Sequence, residues 1–141
     1  MIIVLFGQPH CGKSTLAKEL EGINTCNIDG DQLRDLFKNK DFSRQGRLRN
    51  LNRASDIAVY MNSLKLDVLL SLVYPYKEAR DYLNSLNDNV KWIYLTYEGE
   101  RGREKFHVED FEVPSEEHIL HLDTSKLSVE ECVDAIKRYV Y

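Results

Sequence analysis

The feature that most constrains the fold of this chain is its N-terminal stretch, MIIVLFGQPHCGKSTLAKEL. The apolar run Ile2–Phe6 predicts a buried strand, and residues 14–20 predict a helix. Between them lies a short loop that contains two glycines, GQPHCGKST. A buried strand that passes through a short loop into a helix is the first part of a strand–helix–strand unit, so the opening predicts a parallel sheet.

Strands and helices alternate along the rest of the chain, which is typical of an α/β doubly wound sheet with helices on both faces. The predicted strands cover residues 2–6, 25–28, 67–73, 90–96 and 118–122, and the predicted helices cover 14–20, 32–37, 44–64, 76–86 and 128–139. Ser128 and Glu131 have the spacing of a capping box. We expect a five-stranded parallel sheet in a single domain of residues 1–141, in which only the charged stretch 98–117 breaks the alternation.

Composition excludes several functional classes. The chain has 141 residues, of which 43% are apolar and 30% charged, as in soluble globular proteins. Its net charge of −4 argues against a general nucleic-acid or membrane binder. The three cysteines, Cys11, Cys26 and Cys132, show no metal-binding spacing, so we expect reduced thiols in a cytoplasmic protein without a disulfide framework, zinc site or signal peptide.

The loop after the first strand, Gly7-x-x-x-x-Gly12-Lys13-Ser14, matches the P-loop pattern in the required strand–loop–helix context. Its backbone N–H groups and the helix N-terminus favour phosphate binding. Lys13 is predicted to reach the β- and γ-phosphates of ATP, and Ser14 to bind Mg²⁺. Cys11 is either a reactive thiol or, as we favour, a small side chain that fills the loop. The predicted ATP-binding residues are Gly7, Pro9, His10, Cys11, Gly12, Lys13, Ser14 and Thr15.

Two carboxylates, Asp29 and Asp31, follow the second predicted strand. Ligands of an open parallel sheet bind at the carboxyl ends of the strands, so we expect these side chains at the phosphate loop. Asp29 is a candidate base for an acceptor hydroxyl, or a ligand of Mg²⁺ through water. In the structural alternative, Asp29 only ends the strand, and Asp31 caps the helix that begins at Gln32. The candidate catalytic residues are Lys13, Asp29 and Asp31.

The sequence of residues 29–34, DGDQLR, resembles the D-G-D-N-x-R motif of the adenylylsulfate kinases. Other resemblances follow in the family's order: Phe42-Ser43 with Arg47 and Asn50, LVYPYK at 72–77 with Arg80-Asp81, and HLDT at 121–124 with Glu130-Glu131. Members of this family have the P-loop kinase fold. They transfer a phosphoryl group from ATP to the 3′-hydroxyl of adenosine 5′-phosphosulfate (APS) in sulfate assimilation.

The resemblance implies a role for each matching residue. Asp29 and Asp31 lie at the acceptor hydroxyl, while arginines and an asparagine bind the phosphosulfate and ribose. Phe42 and Phe106 stack on the two faces of the acceptor's adenine, a contact worth about 1–3 kcal/mol per base, with ordinary core packing as the alternative for each ring. The acceptor-binding residues that it implies are Asp31, Arg34, Phe42, Arg47, Asn50, Val73, Tyr74 and Phe106.

The chain departs from the family's pattern in two ways. Residues 97–105 replace most of a helical lid, and their basic side chains form either a shortened lid or a solvated loop; these are Arg101, Arg103 and Lys105. Three single positions differ as well: Gly46 stands where the family has Asp, Arg49 where it has Glu, and Tyr74 where it has Ser. The departures bear on how ATP is covered and on which acceptor is bound.

Charge suggests a second class of acceptor. Residues 34–53 include seven basic and two acidic side chains, a local charge of +5. This segment fits a compact anion such as phosphosulfate, a larger nucleotide or nucleic acid, or a solvated helix face.

From the motifs together, we expect a MgATP-dependent kinase of the adenylylsulfate kinase type, with a small nucleotide as partner. The alternatives are a kinase of another nucleoside, nucleotide or polynucleotide hydroxyl, and a nucleotide-binding regulator without turnover. We expect no membrane partner, and the resemblance is compatible with a homodimer.

Overall fold

The computed structural model describes residues 1–9, 11–98 and 108–141. Its strands are β1 (Ile2–Phe6), β2 (Thr25–Asp29), β3 (Asp67–Ser71), β4 (Val90–Thr96) and β5 (Leu120–Asp123). They form one sheet in the order β2-β3-β1-β4-β5, and every neighbouring pair is parallel. The predicted α/β fold with a five-stranded parallel sheet is confirmed.

The helices are α1 (Lys13–Leu20), α2 (Gly30–Phe37), α3 (Arg44–Ser63), α4 (Lys77–Leu86) and α5 (Val129–Val140). Each predicted helix and strand is present, with its ends within two residues of the prediction. The predicted capping box is present too, since Ser128 caps α5 and exchanges hydrogen bonds with Glu131. Among the described residues, no helix combines the length and apolar character needed to cross a membrane.

The core lies on both faces of the sheet because successive strand residues point to opposite sides. Along β1, Ile2, Val4 and Phe6 pack with residues of α3 and α4, while Ile3 and Leu5 pack with residues of α1 and α5. All five side chains are buried. Strands that are apolar on both faces suit a parallel sheet covered by helices on each side.

Strand order brings the candidate site residues to one edge of the sheet. β3 lies between β1 and β2, and its last residue, Ser71, pairs with Leu5 on one side and with Asp29 on the other. The glycine loop that follows β1 and the carboxylate that ends β2 are therefore two strand spacings apart, roughly 10 Å. This edge is the carboxyl end of the sheet, where ligands of such folds bind.

Candidate active site

The glycine loop after β1 adopts a conformation that its glycines make accessible. Gly7 has a φ of 148° and Gly12 a φ of 96°, both of which are unfavourable for residues with a side chain. A Cβ atom at Gly7 would lie 2.2 Å from the carbonyl oxygen of Leu95, and the Gly7 N–H donates to the carbonyl of Val73 at 3.2 Å. Gly12 is the N-cap of α1, and no described side chain caps this helix. Its first backbone N–H groups are therefore available to an anion.

The Lys13 amine lies inside this loop. Nζ donates to the carbonyl oxygens of Gly7 at 3.0 Å and Gln8 at 2.9 Å, and it lies 3.6 Å from Cys11 Sγ. Burial lowers the pKa of Lys13, while Cys11 and two nearby carboxylates act in the opposite direction. A phosphate group at the loop would stabilise the charged amine and would compete with the carbonyl oxygens for its protons.

Cys11 fills the inner side of the loop. It is 2% exposed and packs among the core residues between the sheet, α1 and α5. Its carbonyl accepts a hydrogen bond from Thr124 Oγ1 at 2.9 Å, which fixes the loop to the end of β5. The thiol is free, as are those of Cys26 and Cys132. These contacts support the interpretation of Cys11 as a small side chain that fills space.

A pocket adjoins the loop at the start of α1. Gly12 and Thr15 line it from the loop and α1, and Thr124, Leu127 and Val129 line it from the β5–α5 connection. Its wall combines apolar side chains with hydroxyl groups. The pocket continues the anion-binding loop on the side away from β2.

Asp29 makes a structural contact with each of its carboxylate oxygens. Oδ1 accepts the backbone N–H groups of Asp31 at 2.9 Å and Gln32 at 3.1 Å, so Asp29 is the N-cap of α2. Oδ2 accepts the Ser14 hydroxyl at 3.5 Å. The alternative in which Asp31 caps the helix is therefore wrong. Asp29 instead connects the start of α2 to the glycine loop.

Asp31 lies in the first turn of α2 with its side chain exposed. Within the part of the chain that the structure describes, its carboxylate has no hydrogen bond or ion pair. Burial lowers the pKa of Lys13 and of Arg34, and the charge of Asp31 partly opposes that effect at both residues. A carboxylate with open acceptor positions can take a proton from a hydroxyl group at this edge of the sheet.

Arg34 and Arg47 bring two positive charges together between α2 and α3. Arg34 Nη1 donates to the carbonyl of Asp41 at 3.1 Å, and Arg47 Nη1 lies 3.8 Å from Asp110. Burial, followed by the charge of Arg47, lowers the pKa of Arg34. An anion placed between the two guanidinium groups would relieve this repulsion and accept several hydrogen bonds.

Two further predicted acceptor residues differ in exposure. Phe42 is 62% exposed, with the Arg34 guanidinium 4.3 Å from the centre of its ring. Core packing, the alternative for this ring, is therefore excluded. Asn50 is only 4% exposed, and its Oδ1 atom has no hydrogen-bond partner among the described residues. An unpaired buried amide oxygen is costly in a folded protein, and this oxygen is closed to solvent, so a ligand would reach it only if the neighbouring side chains moved.

Tyr74 lies in the core, whereas the resemblance places it beside the acceptor. β3 ends at Ser71, two residues earlier than predicted, and Tyr74 has a φ of 45°. Its side chain is 0% exposed, its hydroxyl shares a 2.8 Å hydrogen bond with Ser55, and its ring packs edge-to-face on Trp92. Burial raises the pKa of the Tyr74 phenol. The Tyr74 side chain is therefore not part of the acceptor surface in this structure.

Comparison with known proteins identifies the family of the chain. The family model described as adenylylsulphate kinase matches residues 1–101, well over half of the chain. The chain belongs to the adenylylsulphate kinase family. It is therefore a kinase, a phosphotransferase with a nucleotide-binding P-loop, and the family resemblance drawn from its motifs is confirmed.

A curated member of the adenylylsulphate kinase family shows how the chain differs in length. The adenylyl-sulfate kinase of Oceanobacillus iheyensis is 29% identical over 160 aligned positions, which include 95% of this chain and 80% of the relative. Since the chain has only 141 residues, the relative contains residues that have no counterpart here. The family model stops matching at residue 101, inside the stretch where the sequence departs from the family's lid.

Solved structures share the fold of this adenylylsulphate kinase family member. The Mycobacterium tuberculosis APS kinase CysC in complex with AMPPNP and APS has a TM-score of 0.82 at 18% identity, with 99% of this chain and 96% of that chain covered. A sugar kinase from Janibacter sp. HTCC2649 has a TM-score of 0.76 at 14% identity, with 99% and 93% covered. At these identities the likeness shows the fold alone, and the fold by itself does not select the acceptor.

Some of the predicted site residues lie outside the described residues. They are His10 of the loop, Phe106 and the basic residues Arg101, Arg103 and Lys105. Conversely, the sequence analysis missed one contact of the loop: the Gln8 side-chain amide pairs with the backbone of Val108. A separation of 100 residues leaves no local pattern by which the sequence could indicate this contact.

Replacing Tyr74 with phenylalanine is expected to reduce stability without weakening acceptor binding. The Ser55 hydroxyl would lose its buried partner, at a cost of about 1–3 kcal/mol in the free energy of unfolding. Urea denaturation measures this loss. Tyr82→Phe is the matched control, because that hydroxyl bonds Asp56 at the surface. A raised KM for the acceptor with unchanged stability would place Tyr74 back at the acceptor.

Proposed function

We propose that the protein transfers the γ-phosphoryl group of ATP to the 3′-hydroxyl of APS, producing 3′-phosphoadenosine 5′-phosphosulfate for sulfate assimilation. The observation that best supports this acceptor is the Arg34 guanidinium, which lies 4.3 Å from the centre of the exposed Phe42 ring and whose pKa is lowered by burial and then by the charge of Arg47. A planar base and a phosphosulfate anion are the two groups that such a surface would bind. The family membership of the chain supports the same choice.

The donor half of the proposed site is the glycine loop. Its N–H groups and the start of α1 would bind the ATP phosphates, with the Lys13 amine on the β- and γ-phosphates. The adjoining pocket, lined in part by Thr124 and Leu127, would receive the nucleoside. Ser14 and Asp29 provide neighbouring hard oxygen ligands, which suit Mg²⁺ bound through few protein ligands. When bound, Mg²⁺ would neutralise charge on the β- and γ-phosphates.

The acceptor half is the edge formed by α2 and α3. Asp31 would take the proton of the attacking hydroxyl as its oxygen bonds to the γ-phosphorus, and ADP would leave with the electrons of the broken bond. Asp29 would orient Ser14 and supply negative charge at the metal position. Arg34 and Arg47 would bind the phosphosulfate, Asn50 the ribose, and Phe42 one face of the adenine.

Asp31→Asn is expected to lower kcat by about a hundredfold or more, in line with the loss of a general base. Its exposed side chain makes no described contact, so the free energy of unfolding should change little. Steady-state assays of acceptor-dependent ADP formation measure kcat, and urea denaturation measures the free energy of unfolding. A folded variant whose kcat stays within about tenfold of the wild-type value would contradict the assignment.

Asp29→Asn separates the two contacts of Asp29. Asparagine caps helices about as well as aspartate, so stability should stay within about 0.5 kcal/mol, whereas Asp29→Ala should cost about 1 kcal/mol. Both variants lose the charge beside Ser14, so both should need a higher Mg²⁺ concentration for half-maximal rate. Asp31→Asn is the control for this shift, because Asp31 does not contact Ser14. Equal Mg²⁺ dependence in all three variants would contradict a metal role for Asp29.

The direct test of the proposed function is the conversion of APS to its 3′-phosphorylated product by the purified protein with MgATP. The product is measured chromatographically together with ADP, in equal amounts. A folded protein that produces no 3′-phosphoadenosine 5′-phosphosulfate while it phosphorylates another acceptor would overturn the proposal. Size measurement in solution would test the homodimer that the family resemblance suggests.

A second candidate function is phosphorylation of another nucleotide or polynucleotide hydroxyl. Three exposed cations near the acceptor edge, Lys38, Lys40 and Arg49, have no ion pair within the described ranges. Exposed cations near the exposed aromatic residues Phe37 and Phe42 in the sequence suit a phosphate backbone. Turnover of a 3′- or 5′-hydroxyl oligonucleotide, with an affinity that falls steeply as salt rises, would favour this candidate.

A further inference from the structure

The Gln8 side chain connects the glycine loop to a distant part of the chain. Its Nε2 donates to the carbonyl of Val108 at 2.8 Å, and its Oε1 accepts the Val108 N–H at 2.8 Å. Both hydrogen-bonding groups of one amide thus satisfy both backbone groups of one residue, and Val108 is buried. Two such bonds fix the position of Val108 relative to the loop more tightly than one bond would.

On the donor side, Gln8 also contacts the phosphate-binding lysine. Its backbone carbonyl accepts a hydrogen bond from Lys13 Nζ at 2.9 Å. A polyphosphate in the loop competes for the Lys13 protons. Gln8 therefore has two different environments. In one, the Lys13 amine bonds its carbonyl, and in the other, the Lys13 amine bonds phosphate.

Residues 108–112, which we call the strap, reach the acceptor arginines a few residues later. Asp110 accepts the Tyr76 hydroxyl at 3.2 Å and lies 3.8 Å from Arg47 and 3.9 Å from Arg44. Its position therefore sets the electrostatic environment of an arginine in the proposed anion site.

The far end of the strap is held to the start of α4. The Glu112 N–H donates to the carbonyl of Pro75 at 2.7 Å, and its carboxylate accepts the N–H of Lys77 at 2.8 Å. The Glu112 carbonyl accepts Arg80 Nη2 at 2.9 Å. Phe111 stacks on Tyr94 of β4, with ring centres 5.8 Å apart. The strap is thus a short, well-anchored segment with one contact at the donor loop and another at the acceptor arginines.

We propose that the strap couples the donor and acceptor sites, and that Gln8 is the positioning residue through which the donor loop acts on it. Nucleotide in the loop changes the bonding of Lys13 to Gln8, Gln8 changes the placement of Val108, and Asp110 passes that change to Arg47. The identity of the acceptor in this inference rests on the proposed function, whereas the contact between donor loop and strap does not.

The first test follows hydrogen–deuterium exchange of the amides of residues 108–112 with and without the Mg²⁺ complex of a non-hydrolysable ATP analogue. In the wild-type protein we expect saturating nucleotide to change their exchange rates by about fivefold or more. Gln8→Leu removes both amide bonds at similar size and should abolish this response while it still binds the analogue. An unresponsive strap in the wild type, or an equal response in Gln8→Leu, would overturn the proposal.

The second test measures the affinity for APS calorimetrically, with and without the ATP analogue. Coupling between two sites is reciprocal, so each ligand should change the affinity for the other by the same factor, here about fivefold in the wild type. In Gln8→Leu this factor should fall to about one, whether it is measured as the effect of the ATP analogue on APS affinity or as the effect of APS on the affinity for the analogue. Unchanged coupling in the variant would contradict the role of Gln8.

Two further variants control for simple destabilisation. Gln8→Glu retains an acceptor for the Val108 N–H but has no donor for the Val108 carbonyl. The change in strap exchange rates on nucleotide binding should therefore be reduced in this variant. Gln45→Leu makes the same substitution at an exposed glutamine of α3 and should leave the strap response unchanged. If wild-type protein turns over no APS but its strap still responds through Gln8, the proposed function fails and the coupling stands.

Discussion

Lys13→Ala is expected to lower kcat/KM for phosphoryl transfer by about a thousandfold, comparable to the loss of a central charge-stabilising donor in other active sites. The Lys13 amine is the cation inside the glycine loop, held by the carbonyls of Gly7 and Gln8. Charge that builds up on the transferring group would lose its nearest fixed positive partner. Since few protein groups take part covalently in phosphoryl transfer, electrostatic stabilisation of this kind supplies most of the catalysis.

The matched control for this variant is Lys18→Ala. Lys18 lies in the last turn of the same helix, α1, with its side chain exposed. It should retain nearly full activity, and thermal unfolding should show that both variants are folded. Turnover is measured as ADP formation that depends on the acceptor. If Lys13→Ala kept more than about a tenth of wild-type activity, the catalytic role predicted for the glycine loop would be contradicted.

The fold could be predicted because the relevant signals are local. Apolar runs such as Ile2–Phe6 mark strands that are buried on both faces, and the capping box of α5 is complete in the sequence. The predicted end of a strand was less accurate where tertiary contacts decide the residue at which the strand stops. β3 stops at Ser71 because the chain then turns, with Tyr74 in a left-handed conformation that no residue type in LVYPYK indicates.

The site was predictable to the extent that its residues are close in sequence. The spacing of the glycine loop and of Asp29 and Asp31 placed both groups at the carboxyl edge of the sheet, where the structure has them. The sequence does not indicate which aspartate caps α2, because both are suitable caps and only the backbone geometry selects one. The Gln8–Val108 contact depends on tertiary structure alone.

Gly46→Asp, which would restore the residue typical of the family at this position, is expected to destabilise the protein by about 3 kcal/mol or more. Sequence reasoning alone predicts the opposite, because an acidic residue in the first turn of a helix gains about 0.3–1 kcal/mol. Gly46 is buried in the first turn of α3, and a Cβ atom there would lie 2.2 Å from the backbone oxygen of Asp41 and 2.4 Å from its Cγ. The steric cost is larger than the gain from an acidic residue at the helix N-terminus, so the free energy of unfolding should decrease.

Thermal unfolding should show a decrease in Tm of about 10 °C for this variant. Gly22→Asp is the matched control, because a Cβ atom at that exposed glycine would meet only Thr25 Oγ1, at 3.7 Å. The 39–43 connection would have to move to admit a side chain at position 46. The Asp41 carbonyl accepts Arg34, and Phe42 follows it, so the KM for the acceptor should rise as well.

The Asp41 side chain occupies the space into which a residue-46 side chain would extend, so the two positions should be coupled. Asp41→Gly removes the Cβ and Cγ atoms that clash, and glycine gives the 41 carbonyl freedom to rotate. By itself it should cost about 1 kcal/mol, because the Ser43 N–H loses its carboxylate partner. Combined with Gly46→Asp, it should recover at least about 1 kcal/mol relative to the sum of the two single changes. Strict additivity would show that the backbone oxygen alone causes the clash, and that the chain keeps glycine at 46 because of the path of the 39–43 connection.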